Sequence, residues 1–452
     1  MKKILITIIG LLASGLSAVK AQAPFDYVPL KYSTSASKST PDAYIKKLKP
    51  KYLTQNKDAI KDLNKFLYGV NLSHVANAKG KYYIEEVYVK KYLQYVLDEL
   101  STKNNFKEKY EVHCTRDISV NAYNMGDNRV YVNIGLLKLM TNEAQIAFLL
   151  AHELSHYLLL HVQEKFLASR DLRNSKKVKQ EIKDIKKAKY NKTDLTVQLM
   201  KNYGYEFAKN DRKTERAADS MAVVLVSNTD YDLSEGIALM KILEDSDKDT
   251  LSVDYASFFD NKDFQLNRDW LKTNDKFLSF GDKKVVEFDK DSMSTHPAIP
   301  FRIEMIQKQM AAMGYSKTGK KLYVQSKNIL DSIAYAAMME EIEVYKKGKR
   351  YGAIVYHSLA LLRRFPEHVF LHRNAIVALN EIITCMDKHT IQDHIPVEVD
   401  EFSIGYKHLL RLLDHTSSSE LKLVFKNYIK NYYSKVSQYP EVKTIYEKID
   451  KI

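Results

Sequence analysis

Two histidines and a glutamate lie close together in a stretch that could bind a metal ion and activate water. They are His152, Glu153 and His156, in the pattern H-E-x-x-H. The flanking residues are apolar and include no Gly or Pro, which predicts a buried helix. Positions four apart share a helix face, so both imidazoles could hold one ion, with Glu153 beside it as general base. The alternative is two core histidines with Glu153 capping a polar group, although such groups are costly to bury unpaired.

A third ligand is expected further along the chain, because catalytic zinc sites use three protein ligands and keep one position open. Glu215 and Asp219 are four apart in a second predicted helix with an apolar stripe. Glu215 could be the third ligand, and Asp219 could accept the free ring N–H of a ligating histidine. Alone, this pair would indicate a solvated charged face. Beside H-E-x-x-H, it favours a site for one zinc ion per chain.

These residues and further motifs resemble the HtpX and CAAX prenyl protease family of zinc metallopeptidases, which are gluzincins. The motifs occur in the family's order: Asn121-Ala122, Val130-Tyr131-Val132 before Gly135-Leu136-Leu137, Asn142 to Ala147 before H-E-x-x-H, then His161, Glu215-x-x-x-Asp219, Ser294-Thr295-His296-Pro297 and Arg302-Ile303. The resemblance covers roughly Val87 to Ile306 and points to the soluble, exported, BepA-like type. It implies His152, His156 and Glu215 as zinc ligands and Glu153 as catalytic base and acid.

The resemblance also implies residues that contact the substrate. His296 would stabilise the transition state with Arg302 in support, and Asn121-Ala122 would lie beside the bound peptide. The chain departs from the family at Asn124 to Asn128, where a Pro-Gly-Gly-like turn is usual, so the turn type stays open. Independently, Arg129–Ile134 alternates in the manner of a strand just before the catalytic helix. We expect it to be the edge strand that receives a peptide, through Val130 and Val132.

The predicted fold is mainly α with a small β-sheet, in keeping with only 14 Gly and 9 Pro. The resemblance implies a zincin-like metallopeptidase core. The expected organisation is a signal peptide (1–21), an N-terminal helical lead (22–84) with a loop over Val70–Lys81, a peptidase domain (85–313) with a helical insertion (163–210), and an α-helical C-terminal region (314–452). Gly348, Ala353, Ala360 and Pro366 fall near the turn and packing positions of one tetratricopeptide-like unit. That region is either a module that binds partner proteins or a packing appendage.

The first 21 residues have the order of a secretory signal peptide. Lys2 and Lys3 precede an apolar run and a small-residue end, which predicts cleavage after Ala21, with an uncleaved anchor as the alternative. We expect an exported protein, periplasmic or secreted, from a Gram-negative-type bacterium. Its two cysteines, Cys114 and Cys385, are expected to be free. The net charge of +14 comes without a nucleic-acid-binding motif, so it favours solvated faces or peripheral association with an anionic envelope over nucleic acid.

The function predicted from these observations is zinc-dependent endopeptidase activity on protein or peptide substrates, in envelope protein quality control or processing. Two alternatives stay open. One is a catalytically silent, metal-binding chaperone or assembly scaffold that uses the C-terminal helices, against which the intact Glu153 argues. The other is a zinc hydrolase of a non-peptide bond, against which the predicted strand beside the site argues.

Overall fold

The computed structural model describes residues 26–34, 56–246, 251–262, 264–272, 298–316, 319–321, 327–399 and 402–449. These residues are mainly helical with one four-stranded sheet, which confirms the predicted fold class. They form two compact units. The described residues within 30–247 and 279–341 make the first, and those within 1–29, 248–278 and 342–452 make the second. The boundary predicted at residue 314 therefore falls inside the first unit. The predicted signal peptide lies outside the described residues.

The first unit contains the residues predicted to form the site. Its elements are α1 (Lys57–Lys79), β1 (Tyr83–Ile84), α2 (Val87–Lys103), β2 (Glu111–Thr115), β3 (Ala122–Asn124), β4 (Arg129–Asn133), α3 (Ile134–Leu137), α4 (Glu143–Leu158), α5 (His161–Asn174), α6 (Lys176–Lys187), α7 (Lys192–Ser227), α8 (Glu235–Asp245) and α10 (Ile299–Ala312). Helix α11 (Lys327–Lys347) begins in this unit and continues into the second.

The sheet has the strand order β1-β2-β4-β3. β4 pairs with β2 in parallel and with β3 in antiparallel orientation, joined by a turn at Gly126, whose φ is +88°. The prediction that Arg129–Ile134 is the edge strand is therefore wrong. Every residue of β4 is buried, because α4 packs on one sheet face and α1 on the other. A strand covered on both faces belongs in the interior of a sheet. The free edge next to it is β3.

Helix α1 supports the sheet from the side opposite α4. Its C-terminal half buries His74 and Ala78 against Tyr83 and Tyr131 of the sheet. The loop expected over Val70–Lys81 is wrong, since α1 continues to Lys79. The Gly and Asn residues there suggested a loop. Burial of the intervening residues against the sheet outweighs that local preference.

Helix α4 is the central helix of the first unit. Asn142 caps its N-terminus by accepting a hydrogen bond from the amide of Gln145, as predicted. Close packing is possible where Gly236 of α8 meets Phe148, because a Cβ there would lie 2.4 Å from the ring. The predicted insertion (163–210) is helical, but it is continuous with the helix that carries Glu215. It comprises α5, α6 and the first half of the 36-residue helix α7, which carries Glu215 and Asp219 near its other end.

The second unit is helical. Its elements are α9 (Tyr255–Phe259), a 3-10 turn (Arg268–Leu271), α12 (Tyr351–Leu362), α13 (Val369–Asp387), a 3-10 turn (Ile391–Asp393), α14 (Ile404–His415), α15 (Ser418–Val436) and α16 (Pro440–Ile449). Its core includes buried Tyr428, whose hydroxyl lies 3.0 Å from Nδ1 of His372. No helix among the described residues is both long and apolar enough to span a membrane.

Candidate metal centre

Three side chains from two helices point their ligand atoms at one another. Nε2 of His152 and Nε2 of His156, one turn apart on α4, are 3.2 Å apart. Glu215 of α7 places its two carboxylate oxygens 3.4 Å from Nε2 of His152 and 3.3 Å from Nε2 of His156. All three ligand atoms lie within 4.8 Å of one another. The sequence-predicted ligand set is therefore brought together, and two imidazole nitrogens with one carboxylate oxygen suit a divalent metal such as zinc.

The other ring nitrogen of each histidine also has a neighbour that can orient it. Nδ1 of His152 lies 2.9 Å from Oδ1 of Asp219, which is the contact predicted for Asp219. Nδ1 of His156 lies 3.0 Å from Nδ1 of His161, a buried residue at the start of α5. Each Nε2 is thereby left to face the centre. Such outer contacts orient metal-binding imidazoles and raise their basicity. The arrangement fits the metal that the sequence predicts.

Arg302 pairs with Asp219 and also approaches Glu215. Its Nε and Nη2 donate to the two carboxylate oxygens of Asp219 at 2.8 and 2.7 Å, and Nη2 is 3.9 Å from Glu215. Both members of this bidentate pair are buried. The predicted support of His296 by Arg302 stays a prediction, because His296 lies outside the described residues. The guanidinium of Arg302 positions Asp219, which in turn faces His152.

Charge is concentrated in this centre. Burial favours the neutral form of Asp219, but the hydrogen bonds from Arg302 and His152 outweigh it and lower the pKa of this carboxyl. Burial likewise opposes protonation of His152, yet its contacts with Asp219 and Glu215 raise the pKa of His152 to about 10. Burial and then the His152 charge lower the pKa of His156 to about 3. The carboxylates thus stabilise a positive charge where the ligand atoms converge, which is what binding of a divalent cation requires.

Glu153 is buried on α4, between the two ligand histidines in sequence and about 100° round the helix from His152. Its carboxylate also acts electrostatically on Arg302. The packing that sets this geometry is between α4 and the second half of α7. Small buried residues on α7, Ala218 and Ala222, allow the two helices to approach closely.

The residues predicted to contact substrate do not all lie where that prediction requires. Ala122 lies in the edge strand β3, and Asn121 directly precedes it. Val130 and Val132 are fully buried in the central strand β4, so the prediction that they contact substrate is wrong. His296 lies outside the described residues, and its role stays a prediction.

The contact between His156 and His161 was missed from the sequence. In one continuous helix, residues five apart do not share a face. The chain breaks between α4 and α5 at Leu160, a non-glycine residue with φ of +61°, and this break turns His161 back towards His156. Neither Leu159 nor Leu160 is a typical helix terminator. The only signal was the presence of a third histidine shortly after the motif.

Comparison with known proteins agrees with this geometry. Residues 88–310 match the model of Peptidase family M48. The matched segment contains every described residue of the centre, so the match supports a metallopeptidase function. The match leaves out residues 1–87 and 311–452. No curated protein matches the chain.

Proposed function

We propose that this protein is an exported zinc-dependent endopeptidase, of the soluble BepA-like type within the HtpX and CAAX prenyl protease family. The observation that carries the proposal is the convergence of His152, His156 and Glu215, with Glu153 beside them and an oriented partner behind each histidine. The match to Peptidase family M48 supports the same reaction class. The signal-peptide-like N-terminus supports export and a role in envelope protein quality control or processing.

In the proposed mechanism His152, His156 and Glu215 hold the zinc ion. When bound, the ion would polarise the scissile carbonyl and lower the pKa of the attacking water to about 7. Glu153 takes a proton from that water and returns it to the leaving amine. Asp219 and His161 keep the imidazoles aimed while the proton moves, and Arg302 holds Asp219. His296 remains the proposed stabiliser of the oxyanion.

The substrate peptide is proposed to add to β3 as a further antiparallel strand. β3 has β4 on one side, and its other side is the free edge of the described sheet. The amide of Asn133 donates a hydrogen bond to the carbonyl of Asn121, and Tyr123 pairs with Tyr131 in the same register. In an antiparallel pair, hydrogen-bonded and non-bonded residues alternate, so the amide of Ala122 faces the free edge. Main-chain pairing of this kind binds peptides with little dependence on side chains.

The test compares two carboxylates with different roles. Glu215→Gln should lose zinc and activity together, because the amide is a poor metal ligand. Glu153→Gln should keep near-normal zinc content while kcat for peptide cleavage falls by roughly 10²–10⁴, as for a lost general base. Glu164→Gln, exposed on α5, is the matched control and should change neither. Zinc per chain is measured by elemental analysis, and cleavage is followed with casein before and after a chelator.

Two results would contradict the proposal. Wild-type cleavage by Glu153→Gln would remove this residue from the mechanism and favour another hydrolytic centre. A wild-type protein that binds zinc but cleaves no peptide or casein would favour the scaffold alternative, which no described feature of the centre otherwise supports.

A further inference from the structure

A row of lysines runs along one face of α6, outside the metal centre. Lys176, Lys179, Lys183, Lys186 and Lys187 occupy positions i, i+3, i+7, i+10 and i+11. At about 100° per residue they fall within an arc of about 100°. All five are exposed, and in the described part of the chain none of their ammonium groups forms an ion pair. We call this row the lysine stripe.

The acidic residues of α6 lie outside the stripe and have partners elsewhere. Glu181 accepts a hydrogen bond of 2.7 Å from the hydroxyl of Tyr203 on α7. Asp184 accepts one of 2.8 Å from Gln180 on its own helix. On the face away from the stripe, Val178 is buried and α6 packs against α7. One face of α6 therefore packs against α7, and the other presents positive charge to solvent.

The stripe continues into the turn between α6 and α7. Lys189 and Lys192 flank Tyr190, whose side chain is 73% exposed, and Leu195 in the next turn is 39% exposed. A tyrosine ring among lysines is a common arrangement at the level of lipid headgroups, where the ring has an apolar body and a polar end. The 12-residue helix is about 18 Å long, so its lysines form a straight line of charge.

We propose that the lysine stripe and the Tyr190 turn bind the surface of a bilayer that contains anionic lipid. A straight helix face matches a plane, and ammonium groups on flexible stems suit diffuse headgroup charge. Nucleic acid is the weaker fit. Residues 174–211 contain no Arg. Arg is the residue that most often binds phosphates and guanine bases through two parallel hydrogen bonds. The bound chain would hold its metal centre near a membrane without crossing it.

The experiment measures partition of the purified protein onto vesicles of phosphatidylcholine, with and without phosphatidylglycerol, by flotation at low and raised salt. Each lysine near an anionic surface contributes about fivefold to the partition coefficient. Lys179→Gln/Lys183→Gln/Lys186→Gln should therefore weaken binding to anionic vesicles about 100-fold. The single variant Lys183→Gln should weaken it about fivefold and serves if the triple variant is poorly folded. Binding should fall as salt rises.

The matched control removes the same charge elsewhere. Lys57→Gln/Lys61→Gln/Lys65→Gln changes three exposed lysines of α1, and its partition should fall by less than about fivefold. Equal losses in the two triple variants would overturn the proposal, because net charge alone would then explain binding. Equal partition onto neutral and anionic vesicles would also overturn it. So would stripe-dependent binding of duplex DNA that is tighter than binding to anionic vesicles at the same salt.

Discussion

The carboxylate of Asp219 has two partners, and the substitution Asp219→Asn tests both. One partner is the buried guanidinium of Arg302, bound through two hydrogen bonds of 2.7 and 2.8 Å. The other is Nδ1 of His152, at 2.9 Å. The amide introduced by the substitution would keep the shape of the side chain. It would lose the charge that balances Arg302 and one of the two oxygen acceptors.

The effect on folding follows from burial. The side chains of Arg302 and Asp219 are only 6% and 4% exposed. Breaking such a pair by removing one charge costs about 3–5 kcal/mol. Glu215 lies 3.9 Å from Nη2 of Arg302 and offsets part of that cost, so we expect the lower end, about 3 kcal/mol. Asp211→Asn on the same helix should cost about 0–1 kcal/mol, because its partner Lys165 is 57% exposed.

The effect on the metal is separable from the effect on folding. Loss of an oriented partner behind a ligand histidine typically costs 10- to 100-fold in affinity, and we expect this of Asp219→Asn. Adding Arg302→Leu removes the unbalanced charge, so the double variant should recover much of the stability but not the zinc affinity. Arg302→Leu alone removes the bidentate partner that positions Asp219, so it should lower stability and weaken zinc binding, but by less than Asp219→Asn, because the carboxylate can still face His152.

The assays are urea unfolding of the chelator-treated protein and zinc titration against a chromophoric chelator. Unchanged zinc affinity in a folded Asp219→Asn protein would refute the orienting role of Asp219. If the double variant regained wild-type zinc affinity, the effect of Asp219→Asn would come from the stray charge of Arg302, and our account of His152 would be wrong.

Three further predictions concern other parts of the first unit. His161→Leu should weaken zinc binding 10- to 100-fold by competition titration, whereas His161→Asn, whose Oδ1 can replace Nδ1 as an acceptor, should bind within a few fold of wild type. Ala122→Pro should raise KM for a peptide roughly 2- to 13-fold, the worth of one hydrogen bond of about 0.5–1.5 kcal/mol, and an unchanged KM in the folded variant would exclude pairing through that amide. Gly135→Ala should lower stability by about 1–3 kcal/mol in thermal unfolding, since a Cβ would lie 2.0 Å from the carbonyl oxygen of Ile118. Gly69→Ala, with nothing within 4 Å, should instead raise it by up to about 1 kcal/mol.

The ligand set could be predicted from the sequence because helical spacing determines it. Residues one turn apart meet on any helix, so His152 with His156, and Glu215 with Asp219, needed only the prediction that each segment is helical. The bidentate contact of Arg302 needed the packing of α10 on α7, across 83 positions of sequence, which no local pattern encodes.

The strand order could not be predicted from the sequence, for a related reason. Alternation in Arg129–Ile134 predicted a strand, and its position before the catalytic helix suggested an edge. Whether a strand is central depends on which strands pair with it. Here β2 pairs in parallel with β4, although β3 lies between them in the sequence. Parallel pairing needs a crossover, so adjacent strands in sequence need not be adjacent in the sheet. Similarly, α7 joins the predicted insertion and the segment that carries Glu215 in one helix. It continues through Gly204 and Asn210, residue types that often end helices, and no Pro interrupts Lys192–Ser227.

The continuity of α7 limits which insertions and deletions the chain can tolerate within this helix. Tyr203, which holds α6, and Glu215, which faces the metal centre, are on one uninterrupted helix and differ by 12 positions. Adding or deleting one residue between them would rotate α6 by about 100° about the α7 axis relative to the centre, whereas a change of seven would leave it within about 20°. The angular phase of α7 therefore determines which way the lysine stripe faces relative to the metal centre. On a membrane, that phase would decide whether the centre opens towards the lipid or away from it.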